Sequence, residues 1–211
     1  MKTFAQISCI ILAAGTASRM GKPKQLLPLG NTSILERVIH QTLKESFSEI
    51  ITVIGHKASV IKKEIIIHDP RFRWLKNEHY LAGQSSSLKV GINHIASSNS
   101  SFMVFLGDLP FISNETIQEV LETGVHMEKK TNDPFMIRPT YQGVAGHPVF
   151  FGNMDENFFN KLDGDQGAKV MIKEIDCQVY LDVTDEGIIK DIDTPDDYEF
   201  ARQMIEDTWN R

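Results

Sequence analysis

Short apolar runs alternate with segments of helical periodicity along the first half of this chain. Runs this short and this rich in Ile and Val predict buried strands. Apolar residues that recur every three or four positions predict amphipathic helices between them. The predicted strands are 7–13, 50–54, a short one around 74–75, and 102–106, and the predicted helices are 34–46, 58–67 and one that begins at the Gly83 to Ser87 stretch and continues through Ile95. Such alternation gives right-handed crossovers, so the pattern predicts an α/β fold with a mainly parallel central sheet flanked by helices.

The second half of the chain is less regular. The predicted helices here are 113–129, 153–161, 168–175 and 195–209, and the predicted strands are 135–138, 147–151, 179–183 and 188–192. A turn or hairpin is predicted over 141–146 and a turn over 164–167. Thr194 as N-cap and Pro195 in the first turn predict the start of the last helix. Because no repeat, low-complexity tract or linker interrupts the sequence, we expect residues 1–211 to form a single domain.

Charge and cysteine content exclude some classes of function. The 22 basic and 28 acidic residues give a net charge of −6, which argues against nucleic acid as a partner. Cys9 and Cys177 lie far apart outside any C-x-x-C pattern, so neither a disulfide framework nor a zinc site is predicted. Residues 1–8 do not form a signal peptide, and no apolar run approaches membrane-spanning length. We therefore expect a cytoplasmic protein without a membrane partner.

The loop after the first strand carries the strongest chemical signal. Ala13, Ala14 and Gly15 have almost no side chain, so a ligand can approach the backbone and its N–H groups can surround an anion. Arg19 and Lys24 follow, and Lys22 lies between them. An arginine can bind two oxygens of a phosphate while a lysine acts as a point charge. The stretch thus predicts a phosphate site, although a solvated basic loop would have the same charges.

A second candidate loop lies at the start of the predicted helix that continues through Ile95. Gly83 is followed closely by Ser85, Ser86 and Ser87. Free N–H groups, hydroxyls and the positive end of a helix dipole suit a phosphate. An ordinary helix N-cap with spare serines is the simpler alternative, because serine is a common cap.

Two aspartates follow predicted strands. Asp108 comes directly after the most apolar strand, at the position where open α/β sheets bind ligands. Asp193 follows the last predicted strand. Because Mg²⁺ prefers one or two carboxylates together with phosphate oxygens, we expect both to be Mg²⁺ ligands. Asp108 could instead cap the next helix, but Pro110 intervenes and Ser113 can cap that helix itself.

The motifs together resemble the nucleotidyltransferases of molybdenum cofactor maturation, and the resemblance spans nearly the whole chain. They are Leu12-Ala13-Ala14-Gly15 with Ser18-Arg19-Met20-Gly21 and Lys24, Gly83-Gln84-Ser85-Ser86-Ser87-Leu88, Gly107-Asp108-Leu109-Pro110, Gly146-His147-Pro148-Val149, Gly164-Asp165-Gln166-Gly167-Ala168 and Asp191-Ile192-Asp193-Thr194-Pro195. The first motif is shared with many sugar-phosphate and lipid-precursor nucleotidyltransferases. The triple-serine, Gly-His-Pro and Gly-Asp-Gln-Gly-Ala motifs in combination are much more specific.

The resemblance implies a single Rossmann-like nucleotidyltransferase domain that binds CTP and Mg²⁺. It would transfer CMP to the terminal phosphate of molybdopterin and release pyrophosphate. Leu12-Ala13-Ala14-Gly15 resembles the cytidylyl branch, which serves xanthine-dehydrogenase-type enzymes, whereas the guanylyl branch usually has Leu-Ala-Gly-Gly. The family often has a basic residue before Gly-His-Pro, where this chain has Ala145.

The same resemblance assigns roles to individual residues. It implies that Arg19, Lys24 and Asp108 are catalytic, that the nucleotide is bound by Leu12, Ala13, Ala14, Gly15, Lys24, Gly83, Ser85, Ser86, Ser87 and Asp108, that the acceptor substrate is bound by His147, Gly164, Asp165, Gln166 and Gly167, and that Asp108 and Asp193 hold the metal. From the sequence alone a histidine beside a proline is more often structural than catalytic, so both roles stay open for His147.

The chemistry of such a transfer fits these residue types. Attack of one phosphate on another brings anions together, so catalysis consists mainly of charge neutralisation and in-line placement. Two alternatives remain: a transferase of the same fold that uses a sugar phosphate or methylerythritol phosphate, and a non-catalytic molybdopterin carrier or chaperone. Retention of Lys24, Asp108 and Asp193 argues against a carrier, which needs no Mg²⁺. A transient contact with a molybdenum hydroxylase or its accessory protein is also expected.

Overall fold

A central sheet organises the computed structural model, which describes residues 7–16, 23–95, 100–154 and 172–209. Within these residues the sheet contains β1 (Ser8–Ala13), β4 (Glu49–Ile54), β5 (Phe72–Lys76), β6 (Phe102–Leu106), β7 (Phe135–Tyr141), β8 (Val144–Ala145), β9 (Val149–Gly152) and β10 (Cys177–Asp182). A separate two-stranded ribbon pairs β2 (Pro28–Leu29) with β3 (Thr32–Ser33).

Helices cover both faces of this sheet. The α-helices within the described residues are α1 (Ile34–Leu43), α2 (Ala58–Glu64), α3 (Gln84–Ile95), α4 (Asn114–Glu128) and α5 (Pro195–Trp209). Buried side chains of α1, α2 and α4 pack against one face and those of α3 against the other, while α5 packs with the β2–β3 ribbon and the start of α1. Ser33 and Glu36 form a capping box at the start of α1, because each side chain bonds the other's backbone N–H.

The strand order is β10-β7-β9-β6-β1-β4-β5, with β8 paired to β7. β6, β1, β4 and β5 are parallel neighbours, and β10 is parallel to β7. Within this eight-stranded sheet, as far as the structure describes it, only β9 and the short β8 run antiparallel to their neighbours. The prediction of a mainly parallel α/β sheet flanked by helices is confirmed. Because β1, β6 and β7 all run in the same direction, their carboxyl ends lie along one edge of the sheet.

The strand predicted over 188–192 is wrong. Residues 186–188 form a 3₁₀ turn, and Ile192 donates its N–H to the carbonyl of Asp108 rather than to a strand partner (3.1 Å). Ile188 and Ile192 are both buried, and two buried isoleucines four residues apart produced a pattern that resembles a strand. The segment instead holds the residues before Asp193 against the end of β6.

Other boundaries differ in smaller ways. The strand predicted to begin at His147 begins at Val149, and most of the predicted elements over 153–161, 164–167 and 168–175 lie outside the described residues. Among the helices that the structure describes, none is both long enough and apolar enough to cross a membrane.

Candidate nucleotide and metal site

A cleft of about 450 Å³ opens where β1 and β6 end. Its walls come from the turn after β1, from Lys24 and Gln25, from the loop before α3, and from the ends of the segments that carry Asp108 and Asp193. Ligands of open α/β sheets bind outside the carboxyl ends of the strands, so the cleft has the position expected of a ligand site.

The floor of the cleft is the turn predicted from small residues. Leu12, Ala13 and Ala14 are buried, and Gly15 is exposed with open space where a side chain would begin. The side-chain amide of Gln25 donates to the carbonyl of Ala13 (3.0 Å) and to that of Gly15 (3.1 Å). Gln25 thus fixes the turn while leaving its outer side open to a ligand. No sequence signal distinguished this buried glutamine.

Lys24 lies between the two predicted metal ligands. Its ammonium donates to Asp108 Oδ2 (2.7 Å) and to Asp193 Oδ1 (2.5 Å). Burial by itself would lower the pKa of Lys24, but attraction and hydrogen bonding to the two carboxylates raise it above its ordinary value. Lys24 therefore stays charged at neutral pH. The fold brings together three residues that are 84 and 169 positions apart.

The second oxygen of Asp108 offers a test of whether a cation fits here. Asp108 Oδ1 is buried and has no hydrogen-bond partner among the described residues. A buried carboxylate oxygen without a partner is costly unless a ligand completes it. Asp193 is half exposed and presents its carboxylate to the same place. Two carboxylates beside a cleft that can hold a phosphate suit a hard divalent cation that takes its other ligands from phosphate and water.

A third carboxylate adds to the negative potential around Lys24. The pKa of Asp191 is raised by partial burial and by the charges of Asp193 and Asp108. No group of three or more His, Cys, Asp or Glu side chains is arranged to hold a metal by itself within the described ranges. The acidic side chains consequently favour a cation that is shared with a bound phosphate rather than one enclosed by protein ligands.

The loop before α3 is organised by an asparagine that sequence reasoning missed. Asn77 is buried, and its amide donates to the hydroxyls of Ser86 (2.8 Å) and Ser87 (2.9 Å). The Ser86 hydroxyl also lies within hydrogen-bond distance of the Gly83 carbonyl (2.7 Å). Gly83 and Ser87 line the cleft, whereas Ser85 and Ser86 are not part of its wall. The predicted serine loop reaches the cleft through two of its four predicted residues.

An apolar rim faces the turn across the cleft. Leu81 is 79% exposed although it is a leucine, and it lines the cleft together with Tyr80. A side chain at Gly55 would begin 2.5 Å from Tyr80 Cβ and 2.9 Å from the Ala14 carbonyl, so this contact requires glycine. The close approach sets Tyr80 beside the turn. Tyr80 and Leu81 together form an apolar surface against which a planar ring could pack.

His147 lies on the far side of β6 and is not part of the cleft wall. Burial, and then the charge of Arg138, lower the pKa of His147 to about 4, so it is neutral at pH 7. Its Nδ1 lies 3.5 Å from the Val104 carbonyl, a contact consistent with Nδ1 as the donor. Arg19, Gly164, Asp165, Gln166 and Gly167 lie outside the described residues.

A mainly parallel α/β sheet with a small-residue turn, a lysine and two carboxylates grouped at the carboxyl ends of β1 and β6 is the arrangement expected of a phosphate-binding enzyme. Residues 9–179 match the sequence profile of the MobA-like NTP transferase domain. The chain belongs to this family of nucleotidyltransferases.

Curated relatives of this chain differ in what their names specify. The chain is 26% identical to the molybdenum cofactor cytidylyltransferase of Escherichia coli over 93% of its length and 96% of that protein. It is 25% identical to the purine catabolism protein PucB of Bacillus subtilis, with the same two coverages. It is 26% identical over 86% of its length to the bifunctional protein GlmU of Blochmanniella pennsylvanica, of which it spans 39%.

Solved structures share the fold. A nucleotidyl transferase from Methanothermobacter thermautotrophicus is similar with a TM-score of 0.75 at 21% identity, over 96% of this chain and 99% of that one. The protein Rv0371c of Mycobacterium tuberculosis, crystallised in complex with manganese, is similar with a TM-score of 0.70 at 21% identity, over 94% of this chain and 99% of that one.

Proposed function

We propose that this chain transfers CMP from CTP to the terminal phosphate of molybdopterin and releases pyrophosphate, as a cytoplasmic enzyme whose residues 1–211 act as one domain. The observation that carries the proposal is the contact of Lys24 with Asp108 and Asp193 beside the open turn at Ala13 to Gly15. The full-length similarity to the Escherichia coli cytidylyltransferase supports the nucleotide and the acceptor.

Asp108 and Asp193 would hold Mg²⁺, which when bound neutralises charge on the phosphates of CTP. The partnerless Asp108 Oδ1 supports a divalent cation at this place, and the Rv0371c protein, which has a similar fold, was crystallised in complex with manganese. Lys24, which donates to both carboxylates, would contribute its positive charge beside the phosphates of CTP. There it stabilises the negative charge that develops on the leaving pyrophosphate, together with Arg19.

The remaining predicted residues would surround the two substrates. The backbone of Leu12 to Gly15 lets the triphosphate approach closely, and Gly83 and Ser87 face the nucleoside from the opposite wall. Ser85 and Ser86 support that wall. We place the acceptor near His147 and the segment Gly164 to Gly167. No residue needs to remove a proton, because the acceptor phosphate is already ionised at neutral pH.

Pyrophosphate release tests this function directly. Purified protein with Mg²⁺ should release pyrophosphate from CTP only when molybdopterin is present, and much less from GTP, ATP or UTP. Release with a sugar phosphate or methylerythritol phosphate in place of molybdopterin would show a different acceptor. Binding of molybdopterin without pyrophosphate release from any nucleotide would show a carrier.

A further inference from the structure

We propose that Arg138 binds the phosphate of the acceptor and so places the acceptor subsite on the β7–β9 side of the strand ends. The inference rests on the proposed function only in that the acceptor is a phosphate monoester. Arg138 was not singled out by the sequence motifs, and it contacts no residue of the nucleotide cleft wall that the structure describes.

The register of the sheet places Arg138 on the relevant face. Along β7, Met136 packs into the core beneath α3, whereas Phe135 and Ile137 pack into the core on the opposite face. Alternation puts Arg138 on the α3 face with Met136. The serine loop that opens α3, with Gly83 and Ser87 in the cleft wall, belongs to this face as well.

The position of Arg138 across the sheet follows from strand pairing. Ile137 of β7 pairs with Phe150 of β9, and Phe150 pairs with Met103 of β6. Arg138 is therefore two strands from Val104, or about 10 Å across the sheet. Its side chain runs toward the strand ends, because it contacts Ala145 and Gly146 just before β9. Asp108 lies at those strand ends.

The guanidinium group is held in place but has no charged partner in the described part of the chain. Nε donates to the Gly146 carbonyl (2.7 Å) and Nη2 to the Ala145 carbonyl (3.2 Å). These bonds leave Nη1 and the second hydrogen of Nη2 for a ligand. Such a pair of parallel donors matches two oxygens of a phosphate, which gives a shorter and stronger bond than a neutral acceptor does.

The surroundings of Arg138 favour an anionic ligand. Partial burial lowers the pKa of Arg138, as expected for a cation that has lost water without gaining a carboxylate. The neighbouring His147 is neutral at pH 7, so it offers Arg138 no negative charge. A bound phosphate would supply the missing negative charge.

Arg138 and Lys24 lie on opposite sides of Asp108. Lys24 follows β1 on one side of β6, and Arg138 is on β7 beyond β9 on the other side. In-line phosphoryl chemistry needs the attacking oxygen and the leaving group on opposite sides of the reacting phosphorus. This separation gives one cation to the leaving pyrophosphate and the other to the attacking phosphate.

The test compares Arg138→Gln and Arg138→Lys with Arg73→Gln. Arg73 is a matched control, because it too donates to two backbone carbonyls but lies on β5 near the opposite edge of the sheet. We expect Arg138→Gln to raise the acceptor KM roughly tenfold to a hundredfold, the usual effect of a lost charged hydrogen bond, with the KM for CTP unchanged. Arg138→Lys should raise the acceptor KM less, because an ammonium cannot bind two oxygens in parallel.

Equal acceptor KM values for wild type, Arg138→Gln and Arg73→Gln would overturn the proposal. So would a wild-type acceptor KM in Arg138→Lys, which decides the matter if the glutamine variant does not fold. A parallel rise in both KM values together with a lower melting temperature would show a structural role instead.

The experiment separates failure of this inference from failure of the proposed function. If CTP and molybdopterin give no turnover, equilibrium binding of molybdopterin and of a sugar 1-phosphate is measured for wild type and Arg138→Gln. Binding of either compound that depends on Arg138 supports the subsite although the cytidylyl assignment has failed. Equal binding of both compounds to both proteins overturns it.

Discussion

At the scale of single residues, one lysine and two carboxylates share a small volume whose net charge is negative. Lys24 is largely buried, and it is stable there as a cation because Asp108 and Asp193 accept its hydrogen bonds. Removal of Lys24 leaves two carboxylates without their cation in a partly dry place, which costs more than the loss of a surface ion pair. Substitutions at these positions should therefore affect both substrate chemistry and local electrostatics.

Lys24→Ala should lower turnover by roughly a hundredfold or more, a typical effect of losing one preorganised charge. The KM for CTP should change less, because negative charge on the leaving pyrophosphate grows only in the transition state. Steady-state kinetics with CTP and molybdopterin measure both constants, and Lys62→Ala on the exposed side of α2 is the control. A change confined to KM would make Lys24 an anchor for the ground state.

Asp108→Asn should nearly abolish turnover while the fold survives, because the amide is similar in shape and its oxygen can still accept from Lys24. Asp193→Asn should require a higher Mg²⁺ concentration for half-maximal rate. Titration of Mg²⁺ in the pyrophosphate-release assay measures this, and thermal melting checks folding. Normal activity and normal Mg²⁺ dependence in either variant would remove that residue from the metal site.

At the scale of elements, the cleft is shaped by two loops that are each stabilised from behind. Gln25 fixes the turn after β1, and Asn77 fixes the serine loop at the start of α3. Neither residue belongs to a motif. A side chain that supports a loop by hydrogen bonds to backbone or hydroxyl groups can be placed at many different sequence positions. Motif residues contact the ligand space, and these two hold the motif residues.

Asn77→Ala should reduce the free energy of unfolding by about 2–3 kcal/mol, because a buried asparagine that makes several hydrogen bonds leaves its partners unsatisfied. It should also weaken CTP binding through the displaced Ser87. Urea denaturation and nucleotide titration measure the two effects, with the exposed Asn93→Ala of α3 as control. An unchanged midpoint would show that the serine loop is held by other contacts.

Base selection should also be a property of these two loops. Cytosine and guanine present different donors and acceptors, and a site matched to one leaves buried polar groups unpaired with the other. Ala14→Gly should therefore weaken CTP use only modestly, and appreciable GTP use should require changes in 83–87 as well. Competition between CTP and GTP with molybdopterin as acceptor measures this. A preference of the unaltered protein for GTP would defeat the cytidylyl assignment but not the nucleotidyltransferase reading.

At the scale of the whole molecule, one histidine beside the central sheet, His147, is neutral at pH 7. The pKa of His147 is about 4 in the folded chain against 6.5 ordinarily, because burial and Arg138 disfavour the charged ring. Between these values the unfolded chain binds a proton that the folded chain does not. Stability should consequently fall as pH decreases from about 6.5 to about 4, by at most about 3 kcal/mol.

His147→Asn should flatten this part of the stability profile, since an amide can still donate to the Val104 carbonyl but does not titrate. Urea denaturation at several pH values between 7 and 4 measures the difference. His68→Asn is the control, because His68 is exposed. An identical pH dependence in wild type and His147→Asn would show that other groups cause the loss of stability.

Local chemistry by itself determined most of the strands and helices that the structure describes, and the order in which they alternate. β6 was predicted at its observed bounds because a run of five apolar residues has no polar position to expose, and α1 was located by its capping box. The small residues at Ala13 to Gly15 and Asp108 were also predicted to contact a ligand from the sequence alone. Each directly follows or ends a predicted strand, so its position at a strand end is evident from the local sequence.

Only the tertiary structure decided which distant residues meet. The contact of Lys24 with Asp193 joins residues 169 positions apart, and no periodicity carries that information. Residues 188–192 were predicted as a strand because periodicity records which side chains are buried but not what buries them. Gln25, Asn77 and Arg138 were missed because each makes its contacts across a fold that local pattern does not describe. The sequence therefore determined most of the strands and the candidate residues near them, and the packing of the sheet and its loops decided which of those residues form one site.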